Sequence, residues 1–514
     1  NKKVTQLTEE TKKLEAEIEE IKSNKIFENA FEWRFEFPEV LNDDGDFVGF
    51  DVVIGNPPYI GEKGNKEIFR DIKNGNLNEF YQRKMDIFYF FFHQAINLLK
   101  IDGKVSFITT NYFLTSDGGE ILRTDLKNNS TIEKLINFNE LKIFESAKGQ
   151  HNLITFSSKG LKKQVLSENI VINDKGDCDQ EIFDKIIKNI SDTTNTFLIE
   201  QDDLYEGSNN YIRLEGIGEN NNSHNINYNS IFNKIINNNK RIIEICDVNQ
   251  GILSGVDRVS KKHVERELTN IDNLNSGVFV LSNEEFHNKD FSEKEKEIIR
   301  PWFKNSDINK YYTSEISRYK VIYATRDIEI DEFPKIKSHF DNFEDIIKNR
   351  SQERGEMQAA LKLGKWWVIF AARDKSIFEG EKIVCPQRTK SNIFGYNTDI
   401  WYSSADVYYI TNAREGFLLK YILALLNSKL YFLWLYNKGK RKGDSLELYY
   451  TPLSEIPIKK AANQQEFINL VDQILALKKE NHLADTSKLE EKIDDLVYKL
   501  YDLAPEEIEV VQKS

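Results

Sequence analysis

A short apolar run that ends in glycine and leads directly into two prolines constrains this chain more than any other feature. Residues 50–55 read FDVVIG, and residues 56–59 read NPPY. An apolar run of this length that is rich in β-branched residues is typical of a buried parallel strand. The two prolines fix two φ angles and remove two backbone donors, so the turn after the strand is rigid. The sequence therefore predicts a strand that ends in a stiff turn at one edge of a sheet.

The residues that follow this turn alternate between helix and strand patterns. Residues 85–99 predict an aromatic-rich helix, and residues 104–110 predict the next strand. Two further strands are predicted at residues 131–138 and 152–157. Strands and helices in this order are typical of a doubly wound α/β sheet. That is the fold class expected for the first part of the chain.

Composition narrows the class of protein. The chain has 514 residues, enough for about two to four domains, and it has no apolar run of about 18 residues that would span a membrane. Its three cysteines are far apart and its seven histidines are scattered. We therefore expect a cytoplasmic protein with no disulfide framework and no structural metal site. The net charge of -13 argues mildly against a nucleic-acid partner, although such a partner needs only a local basic patch.

The NPPY turn carries groups that suit one kind of chemistry. The exocyclic amine of adenine is a poor nucleophile because its lone pair is delocalised into the ring. The side-chain oxygen of Asn56 and the carbonyl of Pro57 can each accept one amine hydrogen, which draws the nitrogen towards a tetrahedral, more nucleophilic state. Pro58 stiffens the turn, and Tyr59 offers a flat face for a flipped base. The alternative, a rigid turn with no chemical role, is disfavoured by the strand before it and the alternation after it.

At these residues the sequence resembles the N6-adenine DNA methyltransferases, and especially the fused restriction–modification enzymes of type IIG. Besides the NPPY motif, the resemblance rests on residues 31–40 (FEWRFEFPEV), 85–91 (MDIFYFF) and 142–156, and it covers nearly the whole chain. It implies part of a Rossmann-like class I methyltransferase sheet and a site-specific adenine methyltransferase that uses S-adenosyl-L-methionine. It also implies that Phe91 borders the cofactor and that Phe156 stacks on the flipped adenine, whereas the pattern alone makes Phe91 a core residue.

One expected part of such an enzyme is missing from the sequence. A cofactor site of this fold needs a glycine-rich turn after its first strand, and no strand–glycine–helix unit precedes residue 50. Gly118 and Gly119 lie beyond the catalytic strand, in the wrong order for the family. We therefore expect a chain truncated upstream, which depends on the upstream part of the same polypeptide or on a complementing subunit. A nuclease, with its Mg²⁺, is expected only in that upstream part.

The second half of the sequence predicts a DNA-reading domain. Residues 241–458 hold short strand patterns, aromatic clusters and isolated basic residues, and they resemble the specificity domain of Taq-type adenine methyltransferases. The basic loop with Lys438, Lys440, Arg441 and Lys442 suits contacts to DNA phosphates, although a solvated turn is the alternative. Arginine and glutamine in loops are candidates for reading base edges. Double-stranded DNA is therefore the expected partner.

The predicted domain boundaries follow from these patterns. A connecting helix at residues 1–25 precedes a partial catalytic domain at 26–165, and an exposed, asparagine-rich connector is predicted at 166–240. A mixed α+β target-recognition domain at 241–460 and a C-terminal helical segment at 461–514 complete the chain. Two other functions stay open. One is a non-catalytic DNA specificity module, which the missing cofactor half favours, and the other is a protein glutamine methyltransferase, whose target amide is also planar.

Overall fold

The structure is a computed structural model of the chain. It describes residues 2–23, 33–145, 151–162, 164–187, 193–207, 209–214, 228–350, 355–442 and 445–513. The chain divides into two compact units, Asn1–Leu214 and Glu215–Ser514, and each is described by itself. Among the described residues, no helix has both the length and the apolar composition that crossing a membrane requires.

The first unit combines helices with a sheet that runs through its centre. Its helices are α1 Lys2–Ser23, α2 Trp33–Glu36, α3 Lys66–Asn74, α4 Phe88–Leu98, α5 Glu120–Asn129 and α6 Gln180–Ile187. Its strands are β1 Phe50–Gly55, β2 Leu99–Thr110, β3 Ser130–Asn137, β4 Leu141–Lys142, β5 Asn152–Lys159, β6 Leu166–Ile172, β7 Gly176–Asp177, β8 Thr194–Glu200, β9 Tyr205–Glu206 and β10 Tyr211–Ile212.

The main sheet of the first unit has a mixed topology. Its described strands lie in the order β1-β2-β5-β3-β6-β8. β1 and β2 are parallel, as are β3 and β6, whereas β5 runs antiparallel to both β2 and β3. The strands predicted from the sequence are confirmed as β1, β2, β3 and β5, and the α/β class is confirmed with them. The direction of β5 makes the sheet mixed rather than purely parallel.

Helices α4 and α5 pack side by side on this sheet. Phe92 of α4 is fully buried, and its ring lies 5.0 Å from the ring of Phe107 in β2. His93 of α4 is also fully buried, and its Nδ1 lies 2.5 Å from a carboxylate oxygen of Asp125 in α5. Because a buried polar group without a partner costs free energy, this pair fixes the two helices relative to each other.

Residues 166–214 differ from the prediction of an exposed connector. β6 and β8 lie in the main sheet, and Val171 and Phe197 are buried. Asn169 is buried as well, with its side chain hydrogen-bonded on both sides. Polar residues that satisfy their hydrogen bonds inside a sheet look the same in sequence as loop residues, so the asparagine-rich composition hid these strands. The asparagine run at residues 220–222 lies outside the described residues.

The second unit is larger and also mixes helices with strands. Its helices are α7 Tyr228–Ile236, α8 Ile242–Ile245, α9 Lys261–Glu265, α10 Asn283–Asn288, α11 Glu293–Lys296, α12 Pro334–Asp341, α13 Glu344–Lys348, α14 Gly355–Lys362, α15 Ser376–Glu379, α16 Leu419–Leu426, α17 Lys429–Lys438, α18 Tyr450–Ser454, α19 Gln465–Glu480, α20 Ser487–Leu500 and α21 Pro505–Lys513. Its strands are β11 Lys240–Arg241, β12 Asp247–Gln250, β13 Val280–Ser282, β14 Ile299–Phe303, β15 Tyr311–Tyr312, β16 Tyr319–Ile322, β17 Lys382–Pro386, β18 Arg388–Thr389, β19 Gly395–Asn397, β20 Tyr402–Ser403, β21 Val407–Thr411, β22 Arg441–Lys442, β23 Ser445–Glu447 and β24 Pro457–Ile458.

Two sheets organise the second unit, each with its own apolar core. The described strands lie in the order β12-β21-β17-β19-β15 in one sheet and β13-β16-β14-β20 in the other. The first core includes α16, α17 and the C-terminal helices α19, α20 and α21, and the second core includes α12 and α13. The helices predicted after residue 461 are therefore confirmed. They pack into the core of the first sheet rather than forming a separate segment.

Candidate functional site

The NPPY turn lies at the carboxyl edge of the main sheet in the first unit. β1 ends at Gly55, which pairs with Phe107 of β2, and the turn begins at the next residue. Pro57 is buried, whereas Asn56 and Pro58 are exposed. The buried proline anchors the turn, and both prolines restrict its backbone. The amide of Asn56 is therefore presented to solvent on a stiff support.

Tyr59 connects this amide to the core. Its hydroxyl lies 2.7 Å from Oδ1 of Asn56 and 2.9 Å from the carbonyl oxygen of Ile108. Its half-buried ring packs edge-on against Phe88, with the ring centres 6.0 Å apart. A hydroxyl that donates to Asn56 holds the oxygen end of the amide in place. An amide oxygen has two lone pairs, so a second donor can still bind Oδ1.

Asp86 ties the turn to the start of α4. The backbone N–H of Ile60 donates to Oδ1 of Asp86 at 3.0 Å, and the N–H of Ile87 donates to the carbonyl of Ile60 at 3.0 Å. Burial raises the pKa of Asp86, and hydrogen bonds from the backbone at residues 88, 60 and 87 oppose this increase. The NPPY motif does not point to this carboxylate. In the sequence, Asp86 is recognisable only as an acidic residue directly before the helix that packs on the turn.

Asn152, the first residue of β5, is a further polar group next to Tyr59. It is buried, and it pairs with Thr110 at the end of β2. Burial raises the pKa of the Tyr59 hydroxyl, the Asn152 side chain lowers it, and the charge of Asp86 raises it further. Among the described residues, Nδ2 of Asn152 has no hydrogen-bond partner of ordinary geometry. Sequence reasoning missed this residue because only the antiparallel course of β5 brings it to the turn.

Other amides join the strand ends at the same edge. The side chain of Asn111 donates to Asn137 at 3.0 Å, and the side chain of Asn139 donates to the carbonyl of Ile172 at 3.1 Å. The ring of His151 is hydrogen-bonded to the carbonyl of Asn139 at 2.7 Å. These bonds connect the ends of β2, β3, β5 and β6. The result is a rigid polar edge on the side where open α/β sheets bind their ligands.

The two aromatic residues that the resemblance assigned to ligands are both exposed. Phe91 is 43% exposed in the first turn of α4, although both of its neighbours in sequence are buried. Phe156 is 37% exposed in β5, where it pairs with Ser106 of β2. Ser106 lies two residues before Ile108, so Phe156 lies about 7 Å along the strand from the level at which Tyr59 contacts β2. The register does not place Phe156 at the turn itself.

β1 is an open edge of this sheet. It pairs with β2 on one side, and the described part of the chain places no strand on its other side. Val52 is 58% exposed and Ile54 is 78% exposed. Apolar residues of parallel strands are normally covered on both faces, and an unpaired edge exposes backbone N–H and C=O groups. Within the described residues, this edge of β1 and the side chains of Val52 and Ile54 are therefore uncovered.

The residues near the turn do not by themselves form a site for S-adenosyl-L-methionine. Such a site needs a glycine-rich turn and an acidic residue that binds the ribose. Phe91, the residue that the resemblance assigned to the cofactor, has an exposed ring. Gly118 and Gly119 are packing glycines, because a Cβ at either position would lie 2.0 Å or 2.6 Å from a backbone carbonyl oxygen. In the same described ranges, no group of His, Cys, Asp or Glu side chains is placed to hold a metal ion.

The predicted basic loop of the second unit forms a helix end and a short strand. Lys438 is the last residue of α17, and Arg441 and Lys442 form β22. The ammonium of Lys440 and the guanidinium of Arg441 lie over tyrosine rings, 5.0 Å and 4.0 Å from the ring centres. The side chain of Lys442 and residues 443–444 lie outside the described residues. The described part of this segment is thus an ordered strand packed on aromatic residues.

Residues 382–388 form a second basic segment, and its two basic side chains, Lys382 and Arg388, differ in burial. The ammonium of Lys382 is buried, 2.6 Å from the carbonyl oxygens of both Gly380 and Asp399, and burial lowers its pKa to about 8. It holds two loops together and is not available to a ligand. Arg388 is exposed on β18. Of these two side chains, only Arg388 can contact a partner.

Two parts of the chain match known protein families. Residues 2–144 match the family of Eco57I restriction-modification methylases. Residues 308–458 match the family of TaqI-like C-terminal specificity domains. The first match covers the NPPY turn and the strands around it. The second match covers most of the two sheets of the second unit, together with the basic residues at 438–442.

Relatives that match over most of the chain are named type II methyltransferases. The chain is 26% identical over 437 residues to M.HindII of Haemophilus influenzae, across 80% of this chain and 75% of the relative. It is 26% identical over 424 residues to M.HincII of the same species, across 80% of this chain and 74% of the relative. RM.Eco57I of Escherichia coli, named a type II restriction enzyme and methyltransferase, is 29% identical over 113 residues, across 21% of this chain and 11% of the relative.

The fold is similar to that of a solved restriction–modification enzyme. The type IIL enzyme MmeI, solved in complex with DNA, matches with a TM-score of 0.56 and 13% sequence identity. The match covers 90% of this chain and 56% of the MmeI chain, so this chain spans about half of that protein. At this level of identity the likeness concerns the fold alone.

Proposed function

We propose that this chain, which contains an Eco57I-like restriction–modification methylase domain and a TaqI-like C-terminal specificity domain, methylates the N6 amine of adenine at specific sites in double-stranded DNA. The observation that carries the proposal is the exposed amide of Asn56 beside the buried Pro57, at the carboxyl edge of the sheet. The names of the relatives support the class, a DNA methyltransferase of a restriction–modification system. Beyond this class, we propose that the target base is adenine and that the base is flipped out of the duplex.

Two acceptors act on the adenine amine. One lone pair of the Asn56 oxygen is held by the Tyr59 hydroxyl, and the other accepts one amine hydrogen. The carbonyl of Pro57 accepts the second amine hydrogen. With both hydrogens drawn away from the ring plane, the nitrogen lone pair is less delocalised and the amine becomes a better nucleophile. Because the prolines make the turn stiff before the base arrives, little conformational entropy is lost on binding.

The base reaches these acceptors only outside the duplex. The adenine amine is paired and stacked in double-stranded DNA, so the target nucleotide has to be flipped out of the helix. Tyr59 is half-buried, with one ring edge against Phe88, and its exposed part provides a surface for the flipped base. Stacking on such a ring contributes about 1–3 kcal/mol per base. Phe156 is proposed as a second aromatic contact of the base, and Phe91 as a contact of the cofactor.

The methyl donor is bound mainly by a segment that completes the sheet at β1. The proposed donor is S-adenosyl-L-methionine, and the first unit supplies no more than one wall of its site. A strand added parallel to β1 would pair its open backbone and cover Val52 and Ile54. We assign this segment to the upstream part of the same polypeptide or to a complementing subunit. Any nuclease, with its Mg²⁺, belongs to that segment too.

A second candidate function is a non-catalytic DNA specificity module. The incomplete cofactor site favours it, because DNA recognition by the second unit does not depend on the methyl donor. A protein glutamine methyltransferase is less consistent with the chain, because residues 308–458 match a specificity domain. The three functions differ in whether a methyl group is transferred and in which macromolecule receives it, and both differences are measurable.

The test is to identify the methylated product. The protein is assayed together with its upstream segment or complementing subunit, with labelled S-adenosyl-L-methionine and unmethylated duplex DNA, and the DNA is then digested to nucleosides. We expect the label in N6-methyladenine. Label in methylcytosine, or in protein alone, would contradict the proposal. DNA binding without any methylation by the complete assembly would establish the specificity module instead.

A companion measurement tests where the donor binds. Calorimetric titration of this chain alone with S-adenosyl-L-methionine should show no binding at micromolar concentrations, whereas the complete assembly should bind the donor. Binding by this chain alone would show that the donor site does not depend on a segment paired with β1, while leaving the assignment of the NPPY turn intact.

A further inference from the structure

Three short strands of the second unit form a ribbon in which two basic segments meet. The strands are β18, β23 and β22, in that order across the ribbon. β18 carries Arg388, and β22 follows directly after Lys440. These residues are far apart in sequence, and sequence patterns alone do not place them on one surface. β23 lies between them and brings a carboxylate, Glu447, to the middle of the ribbon.

Glu447 is a buried anion between two cations. Its strand position is directly opposite Arg388, and its backbone N–H donates to the carbonyl of Lys440 at 2.8 Å. Nε of Arg388 donates to Oε1 of Glu447 at 2.9 Å, and the ammonium of Lys440 lies 3.8 Å from Oε2. The Glu447 side chain is 8% exposed, whereas the Arg388 side chain is 54% exposed. The carboxylate is thus an internal brace, and the guanidinium reaches the surface.

The contacts of Arg388 fix one edge of its guanidinium. Nη2 donates to the hydroxyl of Tyr449 at 3.0 Å, in addition to the contacts with Glu447. Glu447 also raises the pKa of Arg388 despite the opposing effect of burial. Within the described part of the chain, Nη1 of Arg388 has no acceptor. The plane of the side chain is therefore set, while its outer donors face solvent.

Arg258 provides a contrast within the same unit. Its guanidinium binds both carboxylate oxygens of Glu285, at 2.8 Å and 3.1 Å, and also donates to the backbone carbonyls of Asn275 and Val280. Nothing in that arrangement is directed outwards, and the residue holds loops together. Arg388 has the same type of carboxylate partner, but its Nη1 donates to no described acceptor. An ion pair of this kind serves orientation rather than stability, since a half-exposed pair contributes little.

We propose that Arg388 reads a guanine in the DNA recognition site and that Glu447 is its positioning residue. Nη1 of Arg388 has no described acceptor, and a guanidinium held in a fixed plane can donate to O6 and N7, the two acceptors that guanine offers in the major groove. The groove is wide enough for a β-ribbon. Lys440 is largely buried in its contact with Glu447, and Arg441 of β22 adds positive charge to the ribbon.

The carboxylate of Glu447 favours a base over a phosphate as the group that Arg388 contacts. Glu447 offsets one of the two positive charges of Arg388 and Lys440, which weakens the attraction of this cluster for a phosphate. A guanine edge is neutral, so the carboxylate does not oppose it and instead keeps the guanidinium in one orientation. The proposal rests on the proposed function insofar as DNA is the ligand of the second unit.

The test is a selection of bound sequences from a pool of random duplex DNA, made with the full chain in its complete assembly. The wild-type protein, Arg388→Lys and Glu447→Gln are each used to enrich DNA, and the preference for each base at each position is compared. We expect Arg388→Lys to reduce the preference for one guanine by roughly tenfold or more and to leave total DNA binding within about threefold, because the charge is kept.

Glu447→Gln distinguishes a positioning role from a purely structural one, because only a positioning role predicts a change in base preference without a loss of DNA binding. The preference for the same guanine should fall severalfold, while binding to random DNA stays equal or becomes tighter, because one negative charge is removed. Arg258→Lys is the matched control, since it changes an arginine bound to a carboxylate elsewhere in the unit, and it should leave every base preference unchanged.

The outcomes separate this inference from the proposed function. If Arg388→Lys and Arg388→Ala both enrich the same sequences as the wild-type protein, or lower binding equally for all sequences, Arg388 reads no base and the inference is wrong. If the wild-type assembly enriches no sequence at all, site-specific DNA modification itself fails. Loss of preference at a guanine in both Arg388→Lys and Glu447→Gln, with Arg258→Lys unchanged, supports the inference.

Discussion

The two units differ in how completely they bury their apolar residues. The first unit leaves Val52 and Ile54 of β1 exposed, together with Leu7 and Leu14 of α1. The second unit buries its large side chains in two cores, with bulky residues such as Trp401 fully covered. The second unit, whose residues 308–458 match a specificity domain, thus covers its large apolar residues more completely than the first unit, which carries the NPPY turn.

The largest effect on stability is expected when an aromatic ring is removed from a core of the second unit. Trp401 is fully buried, and its ring stacks on Phe303 with centres 4.7 Å apart. We expect Trp401→Ala to lower the free energy of unfolding of the second unit by about 3–5 kcal/mol, measured by urea denaturation. Trp366→Ala, at a partly exposed tryptophan, is the control and should cost much less. A loss under about 1 kcal/mol at Trp401 would mean that the second unit is not tightly packed.

The next effect concerns the chemistry of the first unit. Asn56→Ala removes the proposed amide acceptor from an exposed position, so the fold of the turn should persist. We expect the rate of DNA methylation by the complete assembly to fall by about a hundredfold or more, with DNA affinity unchanged, because the specificity domain is untouched. Asn74→Ala, at an exposed residue that ends α3, is the control. A wild-type methylation rate in Asn56→Ala would remove Asn56 from the mechanism.

A buried histidine makes the second unit sensitive to pH. His339 of α12 bonds the carbonyl of Val278 at 2.8 Å, and burial lowers its pKa to about 4, with a smaller decrease from Lys289. An unfolded histidine has a pKa of about 6.5, so between these two pH values the unfolded chain binds more protons, and stability decreases as the pH is lowered. We expect a loss of about 2 kcal/mol between pH 7 and pH 5 from this residue alone.

His339→Gln isolates that contribution. The variant keeps a polar side chain and does not titrate, so its unfolding free energy should change less between pH 7 and pH 5 than that of the wild-type protein. Urea denaturation at the two pH values measures both. The same pH slope in the two proteins would show that His339 is not the residue responsible.

A smaller effect is expected for the Tyr59 hydroxyl. Tyr59→Phe keeps the ring but removes the group that donates to Asn56. Since one hydrogen bond typically contributes about 0.5–1.5 kcal/mol, we expect methylation to slow by about fivefold while base stacking is retained. Tyr59→Ala removes both and should be slower still. Equal rates in the wild-type protein and Tyr59→Phe would show that the hydroxyl does not orient the Asn56 amide.

The smallest effect is expected at the open edge of the first unit. Ile54 is mostly exposed, so Ile54→Thr should change the free energy of unfolding of this chain alone by less than about 0.5 kcal/mol. Ile132→Thr, in the buried centre of β3, is the contrasting control and should cost more than about 1 kcal/mol. In the complete assembly Ile54→Thr should weaken association. A large loss in the isolated chain would show that β1 is already covered.

Local patterns were sufficient for much of the first unit. The apolar run before the NPPY turn, the aromatic helix α4 and the strands β2, β3 and β5 follow from hydrophobic runs and turn residues that lie close together in sequence. The C-terminal helices follow from their apolar stripes in the same way. Where the local signal was weak, as in the polar strands β6 and β8, the prediction of a connector differed from the structure.

The residues of the candidate site also fall into two groups, those that the local sequence indicates and those that only packing brings to the site. The NPPY turn could be located from sequence, because its four residues are consecutive. Asn152 and Asp86 could not, because each reaches Tyr59 or the turn only through the packing of another element. Lys382 is a basic residue in the sequence, yet its burial against two carbonyls removes it from the surface.

The sequence by itself located the NPPY turn and determined the α/β class and the positions of the strongly patterned elements. Tertiary structure alone decided that β5 runs against its neighbours, that β1 has an open edge, and that Arg388 and Lys440 share one buried carboxylate. The physical reason is that hydrophobic period and turn chemistry act over a few residues. Strand pairing, burial and ion pairing depend on residues that are distant in sequence and become neighbours only when the core forms.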